Sequence, residues 1–282
     1  MYIHKIKIWW VRFTISICII LSTWFYLKYR WKHILLPATY MKPYSISSHN
    51  DDTLRIIMIG DSWAGMHKEF ECEEVLADMI SSLINKPVIV KTNGRGGAKS
   101  KDIYYLMFKK TASLVDTDSS YCTQSLIQNG ADYCIVSIGA NDASANLGTN
   151  YLCANCDLVI KHLIFLGITP VLIEVPQRND KSQYSGKPWN HYLVDRIRAF
   201  MTGSDMYIYD QYRPALYNHL VENGLMDSII YIKRDDWNID GFKDKRNLYM
   251  QDGMHLNKKG YWFLDSCLAD RISRHFKASL SE

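Results

Sequence analysis

Hydrophobic and polar positions alternate along the chain with two different periods. Short apolar runs are separated by longer segments in which apolar residues recur every three or four positions. The runs are 54–59 (LRIIMI), 87–92 (PVIVKT), 133–138 (YCIVSI), 169–175 (TPVLIEV) and 206–210 (MYIYD). Repeated strand–helix–strand units predict a parallel sheet with helices on both faces. We therefore expect an α/β fold: a three-layer α/β/α domain with a flavodoxin-like, doubly wound parallel sheet of about five strands.

The segments between the runs vary in how clearly they predict helices. Within 68–85, the apolar residues have the spacing of an amphipathic helix. They are Val75, Leu76, Met79, Ile80 and Leu83. Residues 224–250 mix charged and aromatic residues without a period, which predicts an insertion or a long loop.

The N-terminal region has a different pattern, with about 20 mostly apolar residues from Ile8 to Leu27. This length matches a transmembrane helix, and the tryptophans near both ends fit the two membrane interfaces. A cleaved signal peptide and a buried core helix are the alternatives, but no A-x-A-like cleavage site follows the run. We expect a single N-terminal membrane anchor with the catalytic domain outside the cytoplasm, in the periplasm, although the flanking positive charges are nearly balanced.

These patterns divide the chain into five segments. The predicted segments are an N-terminal tail (1–7), a transmembrane anchor (8–27), a juxtamembrane linker (28–53), a catalytic domain (54–276) and a C-terminal tail (277–282). The net charge of +4 is small and scattered, so nucleic acid is not an expected partner. Cys153 and Cys156 form a single C-x-x-C pair, which favours a local disulfide or two thiols over a zinc site.

Polar residues follow the first apolar run at Gly60, Asp61 and Ser62. Loops at the carboxyl ends of parallel strands form the ligand-binding edge of such sheets, so Ser62 is expected there. A helix N-cap is the structural alternative for this serine. A serine becomes a nucleophile only when a base takes its proton. Asp252 and His255, three residues apart, have the spacing at which a carboxylate orients an imidazole toward a serine.

Two further strand ends supply hydrogen-bond donors. Asn141 follows a glycine turn after 133–138, and the glycines of NGRGGAKS (93–100) leave backbone N–H groups free to face an anion. An oxyanion hole requires such donors. Three consecutive strand ends thus carry a nucleophile and two kinds of donor.

Taken together, the four blocks GDS (60–62), GGAKS (96–100), GAND (139–142) and DGMH (252–255) resemble the SGNH hydrolases, the superfamily of GDSL-like lipases and acylhydrolases. The resemblance covers residues 54–276. It implies that Ser62 is the nucleophile, His255 the base and Asp252 its orienting group. It also implies an oxyanion hole formed by the Ser62 amide, Gly97 and Asn141, with Gly96 as an alternative to Gly97. No cofactor and no metal are implied.

The resemblance implies a carboxylic ester hydrolase. The expected substrates are small acyl esters, such as O-acetyl groups, on a carbohydrate or bacterial surface polysaccharide. An O-acyltransferase with the same triad, a lipid-directed acylhydrolase or lysophospholipase, and a catalytically inactive sugar-binding module are the alternatives. Trp63, Trp189 and Trp237 are candidates for stacking on sugars or for core packing. Arg95, Lys99 and Lys101 beside the glycine loop suggest an anionic substrate.

The remaining polar residues are assigned structural roles. His67 is expected to be structural, as a helix cap, and Asp61 and Asp142 are expected to stabilise turns. His191 and His219 lack a carboxylate at a useful spacing and are expected on the surface or in the core.

Overall fold

The computed structural model describes residues 2–109, 122–145, 147–176, 209–238 and 245–281, together with residues 189, 193 and 197. The chain divides into two compact units, Met1–Pro37 and Ala38–Glu282. We describe each unit by itself and number its elements in chain order among the described residues.

The first unit is the helix α1, Tyr2–Ile34. Its segment Trp9–Tyr29 is long and apolar enough to cross a membrane, and none of it is buried within the protein. A cleaved signal sequence has the same properties. This helix is therefore a candidate membrane anchor or signal sequence, as the sequence predicts.

The second unit is built on a five-stranded parallel sheet in the order β2-β1-β3-β4-β5. The strands are β1 Leu54–Gly60, β2 Val88–Gly94, β3 Tyr133–Ser137, β4 Thr169–Ile173 and β5 Ile230–Ile232. This is the flavodoxin-like order, so the predicted fold class is confirmed. Gly60 is opposite Gly94 on one side and Ser137 on the other, which brings three strand ends together at one edge.

Helices cover both faces of the sheet because the strand residues alternate between two cores. Ile56 and Met58 of β1 face one core, and Ile57 and Ile59 face the other. The first core is covered by α2 Ser62–Glu69, α3 Cys72–Ile84 and α9 Lys258–Ser279. The second core is covered by α4 Ser100–Leu106, α5 Thr123–Gln128, α6 Ala140–Ala145, α7 Thr149–Phe165 and α8 Tyr209–Glu222. Short 3₁₀ turns lie at Met226–Ser228 and Arg234–Asp236.

The fifth strand is not where the sequence predicts it. Residues 206–208 lie outside the described part of the chain, and Tyr209 and Asp210 begin α8. The fifth strand is instead Ile230–Ile232, inside the stretch predicted as an insertion or long loop. Its three residues pair with β4 and are all buried, but a three-residue run is too short to show a strand period.

The segment 28–53, predicted as a juxtamembrane linker, is divided between the two units. α1 continues to Ile34, and residues from Ala38 onward belong to the second unit. Buried side chains hold this segment: Asn155 Oδ1 accepts the Ala38 N–H at 2.7 Å, and the Tyr104 hydroxyl accepts the Met41 N–H at 2.8 Å. The residues from Ala38 onward are therefore held within the second unit.

Candidate active site

Ser62 is the first residue of α2, directly after β1. Asp61 caps this helix by accepting the Trp63 N–H at 3.0 Å, so Asp61 stabilises the turn as the sequence predicts. Gly60 has φ of +150°, and a Cβ there would lie 2.1 Å from the carbonyl oxygen of Ser137. Only glycine fits this close approach between two strands, and the sharp turn then presents Ser62 at the edge of the sheet.

His255 lies in the loop before α9, where one carboxylate organises the local backbone. Asp252 Oδ1 accepts the N–H groups of Met254 at 2.9 Å and His255 at 3.0 Å. Its other oxygen, Oδ2, lies 2.5 Å from His255 Nδ1. These bonds lower the pKa of Asp252 against the opposing effect of its partial burial, which by itself would raise the pKa. The carboxylate is thus held in its charged form next to the imidazole.

The imidazole connects this loop to α2. His255 Nε2 lies 2.8 Å from Ser62 Oγ, although the two residues are 193 positions apart in the chain. With Nδ1 directed at Asp252, the imidazole keeps its proton on Nδ1 and presents the lone pair of Nε2 to the serine hydroxyl. The structure therefore brings the three predicted triad residues into one hydrogen-bonded chain.

The loop after β2 comes close to the start of α2. A Cβ on Gly94 would lie 2.0 Å from the backbone nitrogen of Gly65, so the strand end and the helix pack backbone against backbone. Beyond it, Gly97 has φ of +75°, in the left-handed region that favours glycine. Gly96 and Gly97 are both exposed, and a Cβ at either position would meet open space.

Asn141 and Asp142 hold this glycine loop from the end of β3. Asn141 Nδ2 donates to Ala98 O at 3.0 Å, and no other described residue accepts from its amide, so one amide hydrogen is left for another acceptor within the described part of the chain. Asp142 accepts the Ser100 N–H at 2.9 Å and the Ser100 hydroxyl at 2.5 Å. The predicted oxyanion residue Asn141 is thus beside the peptide that follows Gly97. Asp142 stabilises the start of α4 rather than only its own turn.

Two buried carboxylates lie beneath the site. Desolvation raises the pKa of Asp61 and the pKa of Asp142, each to about 6, and the charge of Asp61 further raises the pKa of Asp142. Ser137 Oγ donates to Asp61 Oδ1 at 2.9 Å, whereas Asp61 Oδ2 is buried and has no hydrogen-bond partner among the residues that the structure describes. Sequence reasoning missed Ser100 and Ser137, since neither serine forms a motif with its aspartate.

A second histidine–aspartate pair lies deeper in the domain. His67 Nε2 lies 3.0 Å from Asp265 Oδ1, and both side chains are buried. His67 is therefore structural, as predicted, but it is not a helix cap. The Cys72 thiol lies beside the pair, and the three potential metal-ligand atoms lie within 4.8 Å of one another.

The other polar residues of the sequence analysis are dispersed. His219 does have a carboxylate partner, since its Nε2 lies 3.3 Å from Asp157 Oδ1 on the neighbouring α7. His191 lies outside the described residues. Cys153 and Cys156 are buried free thiols. Of the two alternatives predicted for this pair, a local disulfide or two thiols, this agrees with two thiols.

The tryptophans divide between the two alternatives, core packing and accessibility to a sugar. Trp63 is buried beneath α2, and its ring contacts the ring of the buried Trp237 at a centroid distance of 6.2 Å. Neither ring is available to stack on a sugar, so both tryptophans pack in the core. Trp189, at 77% exposure, remains accessible.

Comparison with known proteins supports the fold. No protein-family model and no curated protein sequence matches the chain. Solved structures that match include the psychrotrophic esterase EstA from Pseudoalteromonas sp., described as inhibited by monoethylphosphonate, at TM-score 0.53 and 15% identity, covering 80% of this chain and 100% of that one. A GDSL-like lipase from Bacteroides thetaiotaomicron matches at TM-score 0.50 and 13% identity, covering 78% of this chain and 88% of that one. A lipase/acylhydrolase from Enterococcus faecalis matches at TM-score 0.50 and 15% identity, covering 79% of this chain and 96% of that one. The chain therefore has the fold of the SGNH hydrolases.

Proposed function

We propose that this protein is a serine esterase that hydrolyses small acyl esters through an acyl-enzyme. The observation that carries the proposal is the continuous hydrogen-bonded chain from Ser62 Oγ through His255 to Asp252, with distances of 2.8 and 2.5 Å. An exposed serine at a helix start needs no such chain to serve as a cap. A base within 3 Å, itself oriented by a carboxylate, is the arrangement that activates a hydroxyl.

The proposed reaction follows from the position of each group. Ser62 Oγ attacks the ester carbonyl carbon while His255 Nε2 takes the hydroxyl proton, and Asp252 stabilises the resulting imidazolium. The Ser62 N–H, the Gly97 N–H and the free Asn141 amide hydrogen stabilise the oxyanion. His255 then protonates the leaving alcohol, and the acyl-enzyme forms. Water, deprotonated by His255, attacks the acyl-enzyme and releases the acid together with free Ser62.

We also propose that the acyl group is short, as in an O-acetyl ester, and that the alcohol is polar, as in a carbohydrate. The support is the character of the loops beside Ser62. Arg95, Gly96 and Gly97 are exposed, and the two glycines contribute no apolar surface that could bind a fatty acyl chain. We propose that α1 anchors this domain to a membrane, which the exposed apolar segment Trp9–Tyr29 supports.

Active-site labelling tests the proposal directly. A fluorophosphonate should label the wild-type protein and Ser82→Ala, a variant that lacks an exposed serine on α3, but not Ser62→Ala. The same three proteins should be assayed on p-nitrophenyl esters from acetate to octanoate. We expect activity of the wild type and Ser82→Ala to be highest on acetate. Labelling or wild-type turnover by Ser62→Ala would contradict the nucleophile, and rates rising through octanoate would contradict the short acyl group.

A further inference from the structure

Arg95 begins the loop that joins β2 to α4, and backbone contacts fix its position. Its N–H donates to Gly60 O at 3.0 Å, and its carbonyl oxygen accepts the Ala98 N–H at 3.0 Å. Gly60 is two residues before Ser62, on the strand that leads into the nucleophile. The backbone of Arg95 is thus held beside the strand end from which Ser62 projects.

The charge of Arg95 is not neutralised by any residue that the structure describes. Four other arginines on the surface of the domain pair with aspartates, as in the 2.8 Å contact between Arg271 and Asp236. The other pairs are Arg55–Asp51, Arg234–Asp235 and Arg274–Asp270. Arg95 is exposed, and no described residue forms an ion pair or side-chain hydrogen bond with it. Its guanidinium therefore keeps all five N–H donors for a ligand.

The space next to Arg95 is open. The two following residues are glycines, and a Cβ on either would have no neighbour within 4 Å. The same two glycines adjoin Ala98, whose carbonyl oxygen binds the amide of Asn141. Within the described part of the chain, a molecule whose ester lies between Ser62 and Asn141 therefore has open space beside the two glycines that follow Arg95.

We propose that Arg95 binds an anionic group of the substrate, so that the ester cleaved at Ser62 belongs to an acidic, O-acylated glycan. This inference rests on the proposed esterase function and specifies its substrate class. A guanidinium binds a carboxylate or a phosphate through two parallel hydrogen bonds, so either anion satisfies the same chemistry. A hydrogen bond to a charged group typically changes binding enough to shift kcat/KM by about tenfold or more.

Three acetylated sugars of matched linkage test the charge preference: a methyl glucoside, the corresponding methyl glucuronide and the corresponding 6-phosphate. Acetate release gives kcat/KM for each. For the wild type we expect at least one anionic sugar to exceed the neutral sugar by about tenfold, with the ratio decreasing as salt is added. Arg95→Gln should bring this ratio close to one, and Arg95→Glu should bring it below one. Lys91→Gln, at an exposed position on β2, should retain the wild-type ratio and activity.

The outcomes separate this inference from the function on which it rests. A preference for the carboxylate or for the phosphate sugar that is lost in Arg95→Gln supports the inference and identifies the anion. Equal wild-type rates on charged and neutral sugars, or a ratio unchanged in Arg95→Gln, overturns it while the esterase function stands. A wild-type protein that neither reacts with fluorophosphonate nor cleaves p-nitrophenyl acetate overturns the esterase function itself.

Discussion

Two histidine–aspartate pairs in this domain use the same chemical groups in opposite surroundings. In the pair at the edge of the sheet, the side chains of His255 and Asp252 are 17% and 46% exposed. In the pair beneath α2, the side chains of His67 and Asp265 are 0% and 1% exposed. His67 is only five residues from Ser62, whereas His255 is 193 residues away, yet His255 is the one that contacts the serine hydroxyl.

Each histidine has one ring nitrogen that does not contact its aspartate, and the partner of this nitrogen explains why only His255 can act on the serine. His255 uses Nδ1 for its aspartate and directs Nε2 at Ser62 Oγ, on a partly exposed surface that a substrate can reach. His67 uses Nε2 for its aspartate, and its Nδ1 lies 3.4 Å from the hydroxyl of the buried Thr92. A histidine–aspartate pair acquires a catalytic geometry only when the free nitrogen faces a nucleophile that is open to solvent. The buried pair instead connects α2 to α9.

The largest expected effect comes from Asp252→Asn. The asparagine Oδ1 can keep the backbone hydrogen bonds from Met254 and His255, so the loop and the free energy of unfolding should change little. Its Nδ2, however, would face His255 Nδ1 and favour the wrong tautomer. We expect kcat on p-nitrophenyl acetate to fall by about 10⁴-fold with KM nearly unchanged. A loss smaller than tenfold would mean that Asp252 does not orient the base.

Asp265→Ala should do the opposite of Asp252→Asn: it should lower the free energy of unfolding and leave kcat nearly unchanged. It removes a buried partner and leaves His67 Nε2 unsatisfied, so urea denaturation should show a loss of about 3 kcal/mol in the free energy of unfolding. Folded protein, measured at low temperature, should keep kcat within about tenfold of the wild type. The matched control is Asp157→Ala, which breaks the partly exposed contacts with His219 and Lys161 and should cost about 1 kcal/mol or less. Activity lost without loss of stability would make the buried pair part of the catalytic apparatus.

The sequence predicts the architecture of this domain better than its packing. Four of the five strands follow from apolar runs, and the triad follows from the order of its blocks, because parallel topology brings strand ends to one edge. The direction of Trp63 does not follow in the same way. Adjacent residues on a helix project about 100° apart, so Ser62 stays partly exposed while Trp63 enters the core. The His67–Asp265 pair is also invisible in sequence, since 198 residues separate the two groups and no motif connects them.

The smallest expected effect concerns Asp142, a buried carboxylate that has hydroxyl and amide donors but no histidine. Desolvation raises its pKa to about 6, compared with about 3.9 for an unfolded chain, so between these values the folded protein holds a proton that the unfolded chain releases. The contribution of Asp142 to stability must therefore decrease as the pH rises from about 4 to about 6.

Asp142→Asn removes this titration and provides the test. Urea midpoints of the wild type and the variant, measured from pH 4 to 8, should diverge in favour of the variant as the pH rises to about 6 and then remain parallel. Asp252→Asn is the control, because the pKa of Asp252 is lowered in the folded protein, so its carboxylate is charged in both the folded and the unfolded protein above about pH 5. The urea midpoints of this variant should therefore stay parallel to those of the wild type from about pH 5 to 8. Parallel curves for the wild type and Asp142→Asn throughout would show that the carboxylate beneath the glycine loop is charged at every pH tested.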